Sequence, residues 1–487
     1  MIANKNGGLY TAFKAKDSRF DGRIFVGVSS TGIYCRPICR ARMPKKENCT
    51  FYYTAAEAEQ AGYRPCLLCR PELAPGTATV DAVDCLAKRA ARLLEESCGN
   101  NESLERLAQK LGCSARHLRR VFVAQYNVSP VQYMQTCRLL FAKNLLTDTN
   151  LSVLSVAMAA GFGSLRRFNA LFKKHYRFSP TALRKQLGGG KGKESEITLA
   201  LGYRPPYEWQ KMLDFLAQRT IPGVEVVENG EYLRTVHIVT SEQKAVYGWL
   251  RVSNKADKNV LSVTMSASLL QVLPQVLVRV RHLFDLSCEP EAVYEVLASM
   301  NDLRPGLCVL GTRLPGCFDA FEMAVRAILG QQITVKAART LAARLVESYG
   351  KPVNTGVAGL THVFPLASDI AELPEPISNE LGPLGIIATR ANTILALAKA
   401  FVGDEIKFDV CAQPEVEMKK LLAIAGIGNW TAQYIAMRTM GWTDAFLETD
   451  VGVKKALAPY TAKEMLSMAG KWRPWSSYAT INLWNSL

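Results

Sequence analysis

Residues 421–440 read LLAIAGIGNWTAQYIAMRTM, an apolar helical run, a turn at Gly426-Ile427-Gly428 and a second helical run. Glycines at such a turn let backbone N–H groups at the start of the second helix face a phosphate. A Gly-x-Gly on its own means only a turn. This one lies between two helices and is followed by a carboxylate, Asp450, in AFLETDVGVKKAL (445–457). An aspartate just ahead of a helix can serve simply as its N-cap. Trp430 and Tyr434, four residues apart, share one face of the second helix, and core packing is the plain reading of that pair.

Outward from the hairpin, LPGCFDAFEMAVRAILGQQ (314–332) precedes it and WRPWSSYATINLW (472–484) follows it. With the hairpin and the aspartate, these stretches resemble the helix-hairpin-helix glycosylase superfamily, most closely the 3-methyladenine DNA glycosylase II (AlkA) family. The resemblance implies a DNA-3-methyladenine glycosylase with Asp450 catalytic, Gly426 and Gly428 against DNA, and Trp430, Tyr434 and Trp484 around the base. Such roles are chemically coherent. Loss of an alkylated purine leaves an oxocarbenium-like sugar that a carboxylate stabilises, and an electron-poor flipped base stacks on electron-rich rings. Bifunctional relatives carry a Schiff-base lysine where this chain has Trp430, so excision is expected to be monofunctional. The leucine wedge of the family is replaced by Gln332, leaving Gln332 or Ile333 to fill the gap in the duplex. Glu448, the next carboxylate, reads as peripheral. No cysteine follows Cys411, so the iron–sulfur motif of some relatives is absent. Upstream, ITLALGY (197–203), a helix from Tyr207 and alternating segments near 230–270 read as a mixed α/β portion (196–285) ahead of the helical region (286–487).

The glycine-rich, charged stretch LGGGKGKESE (187–196) has nothing to bury and reads as a flexible linker, from which independent halves are expected. A second break falls at PELAPGTATV (71–80), giving segments 1–75, 80–187 and 196–487. The middle segment repeats itself at an offset of fifty. Ser114 falls on Ser164, Arg116 on Arg166, Phe122 on Phe172, Tyr126 on Tyr176, and Ser129-Pro130 on Ser179-Pro180. Each copy reads as helix, glycine turn (Gly112, Gly161), serine N-cap and a second helix. The second helices keep Leu118, Val121 and Phe122, or Phe168, Leu171 and Phe172, on one face. The outer faces carry Arg116, His117, Arg119 and Arg120, or Arg166, Arg167, Asn169 and Lys173. A basic exposed helix after a tight turn is what major-groove recognition requires. The segment resembles the AraC-type regulator domain, notably in AAGFGSLRRFNALFKK (159–174).

Segment 1–75 holds TGIYCRPICRAR (31–42) and YRPCLLCRP (63–71). Cys35, Cys39, Cys66 and Cys69 form two pairs, suited to one tetrahedral zinc ion whose binding energy would help a segment this short to fold. Cys49, Cys85 and Cys98 lack paired spacing and read as packed or surface thiols. An inert structural site is the plain reading of the four. Against it stand Arg36, Arg40, Arg42 and Arg64 around the cluster, because a zinc-bound thiolate stays nucleophilic at neutral pH and arginines bind phosphate. Residues 20–75 resemble the N-terminal sensor domain of the Ada family. The resemblance implies that Cys35 irreversibly accepts methyl from a DNA methylphosphotriester, with Thr31, Arg40, Arg42 and Arg64 touching DNA; spacing alone does not select Cys35.

The bulk numbers agree with DNA as partner. Residues 1–190 carry 29 Lys+Arg against 13 Asp+Glu, a net of +16, while residues 191–487 carry 30 against 30. All the basic excess lies in the first two-fifths of the chain. No signal peptide or transmembrane run is read, so a cytoplasmic location with no membrane partner is expected, and the 13 cysteines are not expected to be a disulfide framework. The expected architecture is multidomain: a small α/β zinc domain, an all-α double helix-turn-helix domain, and an α+β then all-α helix-hairpin-helix glycosylase. Expected partners are double-stranded DNA, alkylated and promoter, and RNA polymerase during activation. The Pro-Cys-His-Arg motif of O6-methylguanine transfer does not occur, so that activity is not expected.

Overall fold

The computed structural model describes residues 6–17, 20–21, 24–71, 79–96, 103–187, 196–240, 244–406, 408 and 414–487. The linker reading therefore falls largely outside the described residues (188–195), as do most of the second break (72–78), Cys98 and Cys411. The side chain of Cys85 is likewise outside them.

The N-terminal segment is a helix, Asn6–Lys14, followed by a four-stranded sheet ordered Cys49–Tyr52, Phe25–Val28, Ile33–Cys35, Arg64–Pro65. The last pair is parallel, setting Arg64 beside Ile33 and Pro65 beside Tyr34. This register brings the two cysteine pairs, Cys35 with Cys39 and Cys66 with Cys69, to one end of the sheet. The connecting helix Ala55–Gln60 starts with a capping box, Thr54 and Glu57.

The repeat folds as two matching units joined by the helix Pro130–Asp148. Ser114 caps Ala115–Tyr126 by accepting from the His117 N–H, and Ser164 caps Leu165–Tyr176 by accepting from the Arg167 N–H. Both helices end on a left-handed residue, Asn127 and Arg177, again fifty apart. Leu118, Phe122, Phe168 and Phe172 are fully buried, which leaves the arginines on the outer faces.

The third segment opens on a five-stranded antiparallel sheet ordered Glu196–Gly202, Val260–Ser266, Ala245–Lys255, Glu231–Val239, Glu225–Glu228. Val260–Ser266 alternates between buried and half-buried residues, the period of a strand with one face on a core. Helices follow from Leu273, inside the portion 196–285 read from the sequence as mixed α/β. A buried ion network fastens the sheet to the helix Ala320–Leu329: Arg234 to Glu322 at 2.7 Å, and Arg326 to Glu225 at 2.9 Å and to Glu322 at 3.0 Å. Each of these buried charges has a partner of opposite sign, which burial demands.

The helices divide between two apolar cores. The helix Asn429–Thr439 lies at their boundary: Ile435 belongs to one, Met437 to the other, and Tyr434 packs against both. This helix therefore lies where two apolar cores meet, a common place for ligand sites.

The segments do not stand apart as the linker reading suggests. Leu9, Ala12 and Phe13 of the first helix join the same core as Val293, Val296 and Leu297. Phe20, 1% exposed, stands edge-on to Trp475 at 4.6 Å. The reason is apolar surface: that helix and Trp475 each bury theirs against a partner from the other segment. The first helix-turn-helix unit keeps a core of its own. Among the described residues no helix is long and apolar enough to cross a membrane.

Candidate functional sites

The four sulfurs of Cys35, Cys39, Cys66 and Cys69 lie within 4.8 Å of one another, and all four residues are buried. Tetrahedral zinc–thiolate bonds of about 2.3 Å imply sulfur–sulfur edges of roughly 3.8 Å, close to the 4.0 Å between Cys39 and Cys66. Backbone N–H groups of Arg36 and Ala41 point at the sulfurs of Cys69 and Cys39, at 3.4 and 3.5 Å, the donor pattern expected around thiolates. Without a cation the cluster cannot ionise evenly. Hydrogen bonds from Cys35 and Cys69 hold Cys39 well below its usual value, while Cys35 is pushed far up by its bonds to Cys39 and Cys69 and by burial. A divalent ion is what lets four such thiols coexist as thiolates, so the donor set fits one zinc ion.

The arginines around the cluster separate into two kinds. Arg36 is 0% exposed and gives its guanidinium to Asp21, at 2.7 Å from Nε, and to the Cys69 carbonyl at 3.5 Å. It braces the knuckle and cannot reach a phosphate, which corrects the sequence reading that set it among the phosphate-facing arginines. Arg40, Arg42, Arg64 and Thr31 are exposed. Arg64 is tied by its N–H to the Gly32 carbonyl, beside the Thr31 turn. Arg40 also reaches Gln125 of the first recognition helix at 2.6 Å, so this sensor residue contacts the regulator unit. Cys49 is buried away from the cluster, its thiol on the Lys45 carbonyl, as its unpaired spacing suggested.

On the recognition helices Arg116, Arg119, Arg120, Arg166 and Arg167 are exposed, while His117 is half-buried and shares a contact with Arg120 at 3.2 Å.

The pocket converges on Asp450. The residue is both things its sequence position allowed. It caps Val451–Ala456 by accepting from the Val453 N–H at 3.0 Å, and it faces two indoles. Trp484 Nε1 donates to Oδ1 at 2.8 Å and Trp430 Nε1 to Oδ2 at 3.3 Å. Trp430 and Tyr434 stack at 5.2 Å, nine degrees from parallel, and Tyr434 meets Trp484 edge-on at 6.2 Å. The structure thus brings together the four residues singled out from the sequence and adds a duty for the tryptophans, which orient the carboxylate as well as lining the cleft.

Two pocket residues escaped the sequence. Phe215 stacks on Trp484 at 6.1 Å, and the Arg219 guanidinium lies 3.8 Å from the Phe215 ring. The signal for Phe215 was the amphipathic helix Trp209–Ala217, whose packing partner no local pattern names, and Arg219 lies just past its end. Arg438 donates to the Tyr434 hydroxyl at 2.7 Å. Burial would raise that phenol, but Arg438, Arg219 and Arg326 pull it below its usual value.

The hairpin stands between Pro414–Ala423 and Asn429–Thr439. Gly426 has φ +92°, and a Cβ there would fall 2.1 Å from the Thr393 hydroxyl, so only glycine fits. Gln331 binds the Gly426 carbonyl at 2.8 Å and the Thr431 hydroxyl at 3.0 Å, clamping the neighbouring loop to the hairpin. At the tip of that loop Gln332 is exposed with φ +54°, whereas Ile333 is half-buried.

Comparison with known proteins gives a match to each part. Four family models match: the metal binding domain of Ada over residues 8–72, a helix-turn-helix domain over 107–186, the AlkA N-terminal domain over 198–319, and the HhH-GPD superfamily of base excision DNA repair proteins over 325–463. A probable bifunctional transcriptional activator/DNA repair enzyme AlkA of Mycobacterium tuberculosis is 35% identical across 98% of this chain and 96% of its own length. DNA-3-methyladenine glycosylase 2 of Escherichia coli is 34% identical over 58% of this chain and 95% of its own length. The bifunctional transcriptional activator/DNA repair enzyme Ada of the same organism is 38% identical over 30% of this chain and 40% of its own.

Proposed function

We infer the chemistry of this chain from its membership of the family of bifunctional transcriptional activator/DNA repair enzymes that join an Ada-type metal-binding and helix-turn-helix half to an AlkA-type glycosylase half. It binds zinc and DNA, accepts methyl groups from alkylated DNA, regulates transcription and excises alkylated bases.

Residue by residue, the proposed roles are these. Cys35, Cys39, Cys66 and Cys69 hold zinc, which keeps the thiols ionised. Thr31, Arg40, Arg42 and Arg64 seat the phosphotriester. The Cys35 sulfur then attacks the methyl carbon, the carbon–oxygen bond breaks, and its electron pair returns to the phosphate as a diester anion. Cys35 is left as a thioether and is not regenerated. That loss of one thiolate charge is the switch. Two unit charges ~6 Å apart interact by roughly 1–3 kcal/mol at effective dielectrics of 20–80, so methylation should tighten promoter binding severalfold to about a hundredfold. Arg116, His117, Arg119 and Arg120 with Arg166 and Arg167 read the promoter, and the methylated protein engages RNA polymerase in the cytoplasm.

In the glycosylase half, Gly426 and Gly428 leave the N–H groups at the start of Asn429–Thr439 open to a backbone phosphate, and Gln332 fills the space of the extruded nucleotide. Trp430, Tyr434 and Trp484 hold the flipped base. As the glycosidic bond breaks, the electron pair leaves with the base. The Asp450 carboxylate stabilises the positive sugar while water adds at C1′ and gives up a proton. With no lysine at position 430, the product is an intact abasic strand.

The observation that carries this reading is the Asp450 carboxylate, held between two indole N–H donors beside the stacked Trp430 and Tyr434. Its test is to incubate the protein with methylated duplex DNA, score base release by chromatography, and weigh the protein. Expected are free 3-methyladenine, an unnicked abasic strand and a gain of one methyl group on the peptide holding Cys35. Release without that gain would leave the zinc cluster as an inert structural site, and the gain without release would leave a regulator alone.

A further inference from the structure

The helix that Asp450 caps, Val451–Ala456, carries a glycine in its first turn. Glycine inside a helix costs about 1 kcal/mol relative to alanine, and Gly452 has no left-handed backbone to justify it. Space supplies the reason. A Cβ at this position would stand 2.9 Å from Trp484 Cδ1, 3.1 Å from Trp484 Nε1 and 3.0 Å from Asp450 Oδ1. Two of those atoms, Nε1 and Oδ1, are the donor and acceptor of the 2.8 Å bond between the indole and the carboxylate.

Neither neighbour can give way cheaply. Trp484 is a rigid ring with Phe215 stacked on it and Tyr434 against its edge. Asp450 is held by the Val453 N–H and by both indoles. Real Cβ atoms do not approach other heavy atoms within 3.0 Å, so a side chain at 452 must move the indole, the carboxylate or both.

We propose that Gly452 is a positioning residue of the base-excision site: its missing side chain is what lets the Trp484 indole close onto Asp450 and sets where that wall of the pocket stands. The inference rests on the reading of Asp450 as the catalytic carboxylate. Gly452 touches no base and acts through Trp484. Displacing a catalytic group by about 1 Å can cost up to ~10²-fold in rate, so the shift of about half that size that relieves a 2.9 Å contact should cost about 10-fold. Activity should therefore fall further than stability at this residue.

The test is a double-mutant cycle on the full chain with Gly452→Ala, Trp484→Ala and the pair, reading single-turnover release of 3-methyladenine and the melting temperature. Trp484→Ala removes Cδ1 and Nε1, the two ring atoms that the new Cβ would strike. G452A alone should slow release about 10-fold with the protein still folded, and should shift the Trp484 indole N–H resonance. Added to W484A, it should cost no more than about twofold. Wild-type release by G452A, or the same full loss in the W484A background, would overturn the proposal. If G452A fails to fold, recovery of the fold in G452A/W484A supports the clash, and continued failure overturns it. Asp450→Asn in the same series separates the two readings. Near-normal release by D450N sinks the catalytic assignment, whereas slow release by D450N beside fast release by G452A sinks only Gly452.

Discussion

The zinc cluster and the aromatic site around Asp450 are built in opposite ways. The cluster draws four ligands from residues 35–69, on short knuckles at one end of a small sheet, and a cation is what balances four thiolates held so close. The other site draws Phe215, Arg219, Trp430, Tyr434, Asp450 and Trp484 from helices and loops spread over residues 215–484, and packing between two apolar cores holds them. A site whose ligands are close in sequence can be read from spacing but falls when its metal goes. A site assembled over hundreds of residues is hard to read and robust once folded.

The sharpest way to break this contrast is to remove the metal. Structural zinc contributes on the order of 10–16 kcal/mol to small metal domains. A strong chelator should abolish methyl acceptance and melt the sensor by hydrogen exchange over residues 24–71, while base release stays within a few fold. A chelated sensor that keeps its protection, or a glycosylase that fails with it, would erase the distinction.

Next in size is the contact that joins the two regions. Phe20 is buried against Trp475, and Phe→Ala in a core costs about 3–5 kcal/mol. Phe20→Ala should make the sensor open to protease at temperatures where the wild type resists, with base release nearly unchanged. Equal protease resistance would mean that the segments are held elsewhere.

A smaller effect sharpens the robust side. His282 is kept neutral by burial, its value lowered to about 4, with Nε2 on the Arg438 carbonyl at 3.0 Å. A depressed histidine favours the fold above its unfolded value near 6.5, and that favour drains away as pH falls toward 4. The glycosylase half should lose up to about 3 kcal/mol over that window, and His282→Gln should flatten the profile. An unchanged slope in the variant would assign the acid sensitivity to other groups.

What could be read from the sequence follows the same contrast. The paired cysteines, the fifty-residue repeat and the serine caps are local, and each appears where its spacing put it. Arg36 was misjudged because proximity in sequence to the cluster says nothing about burial; Asp21, which claims it, is fifteen residues upstream. Trp430 and Tyr434 had the spacing of a shared helix face, yet their link to Asp450 and Trp484 came from family resemblance, since no periodicity joins residues 430, 450 and 484. Phe215 and Arg219 were missed for that reason. The docking of the first helix on Pro290–Leu297 was missed because a glycine-rich connection signals freedom of the chain and leaves open what its ends bury.

The central claim is that one chain carries two separate chemistries, a sulfur that takes a methyl group and a carboxylate that releases a base. The most direct measurement scores both on Cys35→Ser and Asp450→Asn in parallel. C35S should take up no methyl and excise normally. D450N keeps a residue able to cap the helix, so it should stay folded, accept methyl normally and excise about 10²–10³-fold more slowly. A folded D450N that releases 3-methyladenine at near wild-type rate would make Asp450 a helix cap and nothing more.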